Sequence, residues 1–269
     1  MSHSRVERME FNGRPAWRKR YGDTERRGRL SLLRWAANVI GSQALRPPAA
    51  HGGAIACATE RDMIGKLAAL GARVPEILHG GPTELVLSDL GPTLSQRCKS
   101  EPDPRRRADL LQAGAAALGD LHRRGGYVSQ AVARNLTIDA AGVGFIDLEQ
   151  DPSQVMDLPA AQARDWLLFV QSTARFVEPG DDDYVDQLHS RLREEDAAVR
   201  TEIGIVARRL RWLAPVADAA GPRAQATGRA LRVLTRLGVI VLTALLWRIW
   251  ADDAFRLADV LLDRGLPLV

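Results

Sequence analysis

Cysteine is scarce: Cys57 and Cys98 are the only two in 269 residues, far apart and without a C-x-x-C pair. That scarcity argues against a disulfide framework and a thiolate zinc site, and it fits a reducing compartment. Aromatic residues make up only 5% of the chain, and helix formers dominate, so a mainly helical body carrying a small sheet is expected. The uncharged stretch from Leu237 to Trp247 has 11 residues, short of the roughly 18 to 20 that a membrane-crossing helix needs. The amino terminus, MSHSRVERMEF, carries charges where a secretory signal needs an apolar core, so a cytoplasmic location is expected. No G-x-S-x-G elbow, H-E-x-x-H pair or complete P-loop is present, which leaves hydrolase and P-loop NTPase readings without support.

What is present is ordinary globular composition, 46% apolar and 26% charged, in a chain long enough for two lobes around a sizeable core. The net charge of +4 is uneven. Residues 1–50 hold 11 Lys/Arg against 4 Asp/Glu, a net +7, so the remainder carries −3. A basic end on a near-neutral body suggests an anionic partner: nucleic acid, phosphate-bearing lipid or nucleotide. Nucleic-acid binding through residues 14–34 has charge in its favour but no recognisable module, so it is not the expected role.

Local signals divide the chain into elements. Residues 5–11 and 15–21 read as two strands joined by Asn12-Gly13, a strong hairpin signal. Trp17 and Lys19 then share one face of the second strand, with Arg18 and Arg20 on the other. Residues 26–45 read as a basic amphipathic helix, either lying on anionic lipid or packed on the small lobe with a solvated basic face. Helices are expected over 54–70 and 105–124; between them Val74-Pro75 starts an extended return through Ile77-Leu78, and 84–87 reads as a strand. Residues 136–138 and 143–146 read as a second hairpin, turning at 139–142. Asn135 and Asp147 flank this hairpin on its loop side. Two short oxygen ligands held that way suit one hard cation, and Mg²⁺ on a nucleotide is the usual guest.

Leu121-His122, the extended piece after Gly125-Gly126, Asn135 and Ile146-Asp147 resemble the catalytic and metal-binding loops of protein-kinase-like phosphotransferases. The I-D-x-E ending at Asp147 and Glu149 is similar to the atypical bacterial branch. That branch includes lipopolysaccharide-core heptose and Kdo kinases and small atypical serine/threonine kinases. The resemblance covers Trp17 to about Phe176. It implies an α+β, protein-kinase-like bilobal fold, with a truncated antiparallel-sheet N-lobe and a mainly helical C-lobe. It also implies ATP and Mg²⁺ as cofactors and a hydroxyl on an envelope lipid, glycolipid or protein Ser/Thr as acceptor. In that pattern Lys19 holds phosphate, Glu60 orients Lys19, and Asn135 with Asp147 binds the metal. Without the pattern, Lys19 and Glu60 read as a solvated cation and an exposed helix carboxylate. Asp165 reads either as a buttress behind the catalytic loop or as an ordinary helix acid. His122 reads as a packing residue.

Two departures stand out. Counting back five from Asn135, where kinases of this type place the proton-accepting Asp of H-R-D-x-x-x-x-N, gives Gln130, with Val128 and Ser129 at the His and Arg positions. Gln130 can hydrogen-bond an incoming hydroxyl but cannot take its proton. No G-x-G-x-x-G precedes the first strand, so the phosphate-covering loop of the resembled pattern is expected to be missing or too short. These departures support an alternative: a catalytically weak or inactive pseudokinase serving as a membrane-associated binding or regulatory module.

Residues 184–213 read as one charged amphipathic helix. Residues 229–250 read either as a buried helix or as one in or on a membrane, with Arg232, Arg236 and Arg248 flanking its apolar core. The expected organisation is an N-lobe at 1–90, a helical C-lobe at 91–215 and C-terminal helices at 216–269. Residues 26–45 and 229–250 are the candidate lipid contacts of a chain peripheral to the inner membrane.

Overall fold

A computed structural model describes residues 5–22, 41–48, 51–177 and 182–210. The chain opens with β1 (Arg5–Phe11) and β2 (Arg14–Arg20), antiparallel partners around Asn12 and Gly13. Both turn residues have positive φ, 50° and 75°, the combination that matches the twist of a two-residue hairpin. Helix α1 (Gly53–Ala69) follows, buried along Ala56, Cys57, Glu60, Met63, Ile64 and Leu67, the i, i+3, i+4, i+7 spacing of one helix face. A carboxylate in that apolar stripe requires an internal partner.

β3 (Ile77–Gly80) and β4 (Glu84–Ser88) complete a four-stranded antiparallel sheet in the order β1-β2-β4-β3. The extended return expected around Ile77 is therefore a full sheet strand, antiparallel to β4 with a register shift between Ile77 and His79. Lys19 lies opposite Leu85 and Trp17 opposite Leu87, so these four side chains share one face of the sheet.

The helical part begins with α2 (Leu94–Ser100), started by a reciprocal Thr93–Gln96 capping box. Asp103 caps α3 (Pro104–Arg123), which carries proline in its first turn. Gly125, at φ 79°, turns the chain out of α3. An irregular stretch leads to the hairpin of β5 (Leu136–Asp139) and β6 (Gly142–Phe145). Asp157 caps α4 (Leu158–Thr173), nearly all of whose residues from Ala160 to Val170 are buried. Two further helices follow, α5 (Asp182–Glu194) and α6 (Ala197–Leu210). The whole is a mixed α+β structure with one apolar cluster running from Tyr21 to Val206.

Two expectations are corrected. The single helix expected over 184–213 is broken: Glu195 turns inward to accept from Trp166 Nε1 at 2.6 Å, and Asp196 Oδ1 accepts from Ala198 N to start α6. A buried acceptor and a new cap end one helix and begin another. The carboxyl end of the helix expected over 26–45 is a 3₁₀ turn, Gln43–Leu45; residues 23–40 lie outside the described residues, as does 229–250. Among the described residues no helix is long and apolar enough to cross a membrane.

Gly144 shows how tightly the second hairpin is held. A Cβ there would lie 2.7 Å from Thr137 Oγ1, 2.8 Å from Leu90 Cδ1 and 3.3 Å from the Arg73 carbonyl. That carbonyl accepts from Phe145 N at 2.9 Å and has no freedom to retreat. Gly144→Ala is expected to cost about 1–3 kcal/mol in urea denaturation through overpacking. Gly65→Ala, in α1 with nothing within 4 Å, is expected to stabilise by about 0.5–1 kcal/mol.

Candidate functional site

β2 aims Lys19 inward, and only 5% of the residue is exposed. Its Nζ lies 2.6 Å from Asp147 Oδ1, 2.7 Å from Glu60 Oε2 and 3.2 Å from Glu149 Oε2. The amine thus joins the sheet, helix α1 and the segment that leaves β6. Glu60 is shared further: Tyr21 donates its hydroxyl to Oε2 at 2.5 Å, and Leu148 N donates to Oε1 at 3.2 Å. Lys19 also stands 5.3 Å over the Tyr21 ring, a cation–π arrangement.

Asp147 reaches the amine from an unusual backbone. Ile146 N donates to Asn135 O at 2.9 Å and closes the open end of the β5–β6 hairpin. Asp147 then turns to φ 63°, a left-handed conformation costing on the order of 1 kcal/mol or more in a non-glycine residue. The ion pair with Lys19 and the Leu148–Glu60 hydrogen bond hold the turn from both sides.

Burial alone would depress the Lys19 pKa, but the fields of Asp147, Glu60 and Glu149 outweigh it and raise the value above that of a free lysine. Asp147 and Glu149 both touch this amine yet shift oppositely. Burial disfavours the charge of each. Lys19, the closer hydrogen bond and Arg134 bring Asp147 down. Glu149, 3.2 Å from the amine and facing two other carboxylates, is pushed up. The opposite directions follow from distance and neighbours. One cation among three carboxylates leaves an excess of negative charge, and the outer two side chains remain 36% and 30% exposed. Oxygens of Glu60, Asp147 and Glu149 lie within 4.8 Å of one another.

A second cluster shapes the stretch before Asn135. Its Nδ2 donates to the Gln130 carbonyl at 3.2 Å, which sets the amide's orientation. Three polar side chains of α4, at positions 162, 164 and 165, grip the same stretch. Gln162 Nε2 donates to His122 O and Gly126 O at 3.0 and 2.9 Å. Asp165 Oδ2 accepts from Val128 N at 2.5 Å, and Arg164 Nε donates to Ser129 O at 3.3 Å. Adjacent opposite charges on one helix therefore hold the amide of one loop residue and the carbonyl of the next. Ser129 between them sits at φ 78°. His122 completes the support: it packs edge-on to Trp166, with Nδ1 3.0 Å from Glu195 and Nε2 3.6 Å from Asp165. Burial lowers its basicity, but these two carboxylates raise it by more.

Lys19, Glu60 and Asp147 thus meet, and Asn135 is joined through its main-chain oxygen to Ile146, the residue before Asp147. Gln130 joins through its carbonyl; its side chain makes no hydrogen bond with Lys19, Glu60 or Asp147 among the described residues. Sequence reading missed Tyr21, Gln162 and Arg164. Tyr21 was detectable as the next inward position of the Trp17–Lys19 alternation. The polar run in α4 was visible too, but nothing local says that it faces inward.

Lys19→Met strands Glu60 in the interior and is expected to cost about 3–5 kcal/mol, as for other broken buried pairs. Without the amine, burial leaves the folded pKa values of Asp147 and Glu149 above their unfolded ones, so the folded variant gains as pH falls. Urea denaturation at pH 8 and pH 5 should show the gap from wild type narrowing at the lower pH. His122 has the opposite linkage. Its raised folded pKa contributes stability that is complete below the unfolded value of 6.5 and lost as pH climbs through the folded value. In thermal melts from pH 6 to pH 9, the Tm deficit of His122→Gln should therefore shrink as pH rises. No protein-family model matches the chain, and no curated protein matches it significantly.

Proposed function

We propose that the chain is a kinase-like phosphotransferase, with the four-stranded sheet and α1 as its small lobe and the helical part as its large lobe. The observation that carries this reading is the meeting of Lys19 with Glu60 at 2.7 Å and Asp147 at 2.6 Å. A strand amine, a helix carboxylate that orients it and an aspartate after a hairpin form a constellation suited to gripping a nucleoside triphosphate. Lys19 exchanges its Asp147 contact for a phosphate oxygen, while Glu60, held by Tyr21 and Leu148, keeps the amine in place. Asn135, with Nδ2 engaged, offers its carbonyl oxygen, and Asp147 offers a partly exposed carboxylate. This hard-oxygen pair fits Mg²⁺. When bound, the ion supplies charge neutralisation on the phosphates.

Gln130 orients the acceptor hydroxyl without removing its proton, which passes to an oxygen of the transferred phosphoryl group as the bond to the departing nucleoside diphosphate breaks. Loss of a general base typically slows transfer by about 10²- to 10⁴-fold, yet positioning and charge neutralisation carry much of phosphoryl transfer. The acceptor we favour is a hydroxyl on an anionic envelope lipid or glycolipid, ahead of protein Ser/Thr. Of the basic stretch at 26–45, the part before residue 41, together with residues 229–250, is the segment for a membrane surface; both lie outside the described residues. The specific feature favouring the second reading, a pseudokinase that binds nucleotide without turnover, is Gln130 itself.

Differential scanning with and without Mg-ATP tests both readings. At 100 times Kd the ligand should add about 2.7 kcal/mol to wild-type stability and none to Asp147→Ala. Radiolabelled phosphate entering a membrane extract with wild type, and not with Lys19→Ala, supports the enzyme. Binding without transfer supports the pseudokinase, and an unchanged wild-type melt overturns both.

A further inference from the structure

The chain leaves the sheet at Gly22 and returns at Gly53, whose amide donates to Gly22 O at 2.9 Å. The excursion between them starts and ends at one point, yet part of it lies on the helical body. Residues 41–48 form a strap there, with Ser42, Ala44, Leu45, Pro47 and Pro48 buried. Ser42 Oγ donates to Glu202 Oε2 on α6 at 2.8 Å. Arg164 Nη1 donates to Ala44 O at 3.1 Å and Arg46 O at 3.4 Å. The same guanidinium, through Nε, donates to Ser129 O at 3.3 Å.

Arg164 is 6% exposed, and among the described residues its hydrogen bonds all go to main-chain carbonyls. Burial pulls its pKa down to about 10, with the field of Asp165 opposing, so it stays charged at neutral pH. A buried charge with no hydrogen-bonded counterion is costly. An apolar side chain would fill the space but bridge nothing, and an ammonium lacks the rigid planar fork that reaches three carbonyls on two segments. Ser129, at φ 78°, immediately precedes Gln130.

We infer that Arg164 is a positioning residue that couples the 41–48 strap to the Gln130 loop, so that displacing the strap releases the loop and regulates the candidate site. The regulatory clause rests on the proposed function; the mechanical coupling does not. Whatever moves the strap then acts on the acceptor side of the site without touching Lys19, Glu60 or Asp147.

Hydrogen exchange of the full chain tests the coupling in peptides covering 41–48 and 127–135. Ser42→Ala removes a contact of the strap to α6 and none of the 127–135 stretch. With Arg164 present it should raise exchange in both peptides by roughly twofold or more, matching the smallest couplings seen between touching residues. In an Arg164→Met background it should raise the strap peptide only. A purely structural Arg164 predicts additive effects, and that result, or an unchanged 127–135 peptide in Ser42→Ala, overturns the inference. Should Arg164 variants fail to fold, Glu202→Gln replaces the second background: it must loosen both peptides as Ser42→Ala does, and loosening of the strap alone refutes the coupling. Arg164→Lys adds a functional readout. Mg-ATP binding should be retained while phosphate transfer falls at least tenfold, and equal loss of both overturns the positioning role. A wild type that binds no nucleotide defeats the proposed function and leaves the exchange result standing.

Discussion

One buried amine organises the structure. Lys19 enters from β2, and the three carboxylates that touch it come from two distant parts of the chain: Glu60 from α1, Asp147 and Glu149 from the segment beyond β6. A lysine that is 5% exposed is tolerable only because its carboxylates outweigh the desolvation of the ammonium. The converse holds for Glu60, which lies in the apolar stripe of α1. Lys19, Tyr21 and the Leu148 amide satisfy it, so α1 can bury that face only with the sheet and the hairpin both in place. Packing of three elements is thus tied to one charge constellation.

The second constraint is main-chain accounting in the loop before Asn135. A stretch with neither helical nor sheet bonding must place its amides and carbonyls somewhere. Here α4 provides the partners, with Gln162, Arg164 and Asp165 reaching the peptide units from 122 to 129. The result is a loop whose shape is dictated from behind. Asp165 is therefore more than a helix acid: it is fully buried and bonded to Val128. His122 faces it through Nε2 and faces Glu195 through Nδ1, which links the break between α5 and α6 to the same support.

Turns, caps and apolar periods made much of the architecture legible. The Asn12-Gly13 hairpin, the helices near 54–70 and 105–124 and the second hairpin all follow from signals spanning a few residues. The errors were local as well. The helix expected over 184–213 has a continuous apolar period, and nothing nearby reveals that Glu195 is drawn inward by Trp166 and His122 from two other helices. Ile77 lacked the alternation of a strand because β3 is a short edge that needs β4 beside it.

The candidate site divides in the same way. Residue types and spacing determined which side chains were worth naming: an inward strand lysine, a helix glutamate, and an amide and a carboxylate around a hairpin. Only the tertiary structure decided that Lys19 and Asp147, 128 positions apart, lie in contact, that Glu149 joins them, and that Tyr21 shares Glu60. The reason is physical. Turn and cap chemistry acts over a few residues and is written into neighbouring side chains. The partner of a buried charge depends on which distant surfaces exclude water together, and that is determined when the sheet, α1 and the hairpin close on one another.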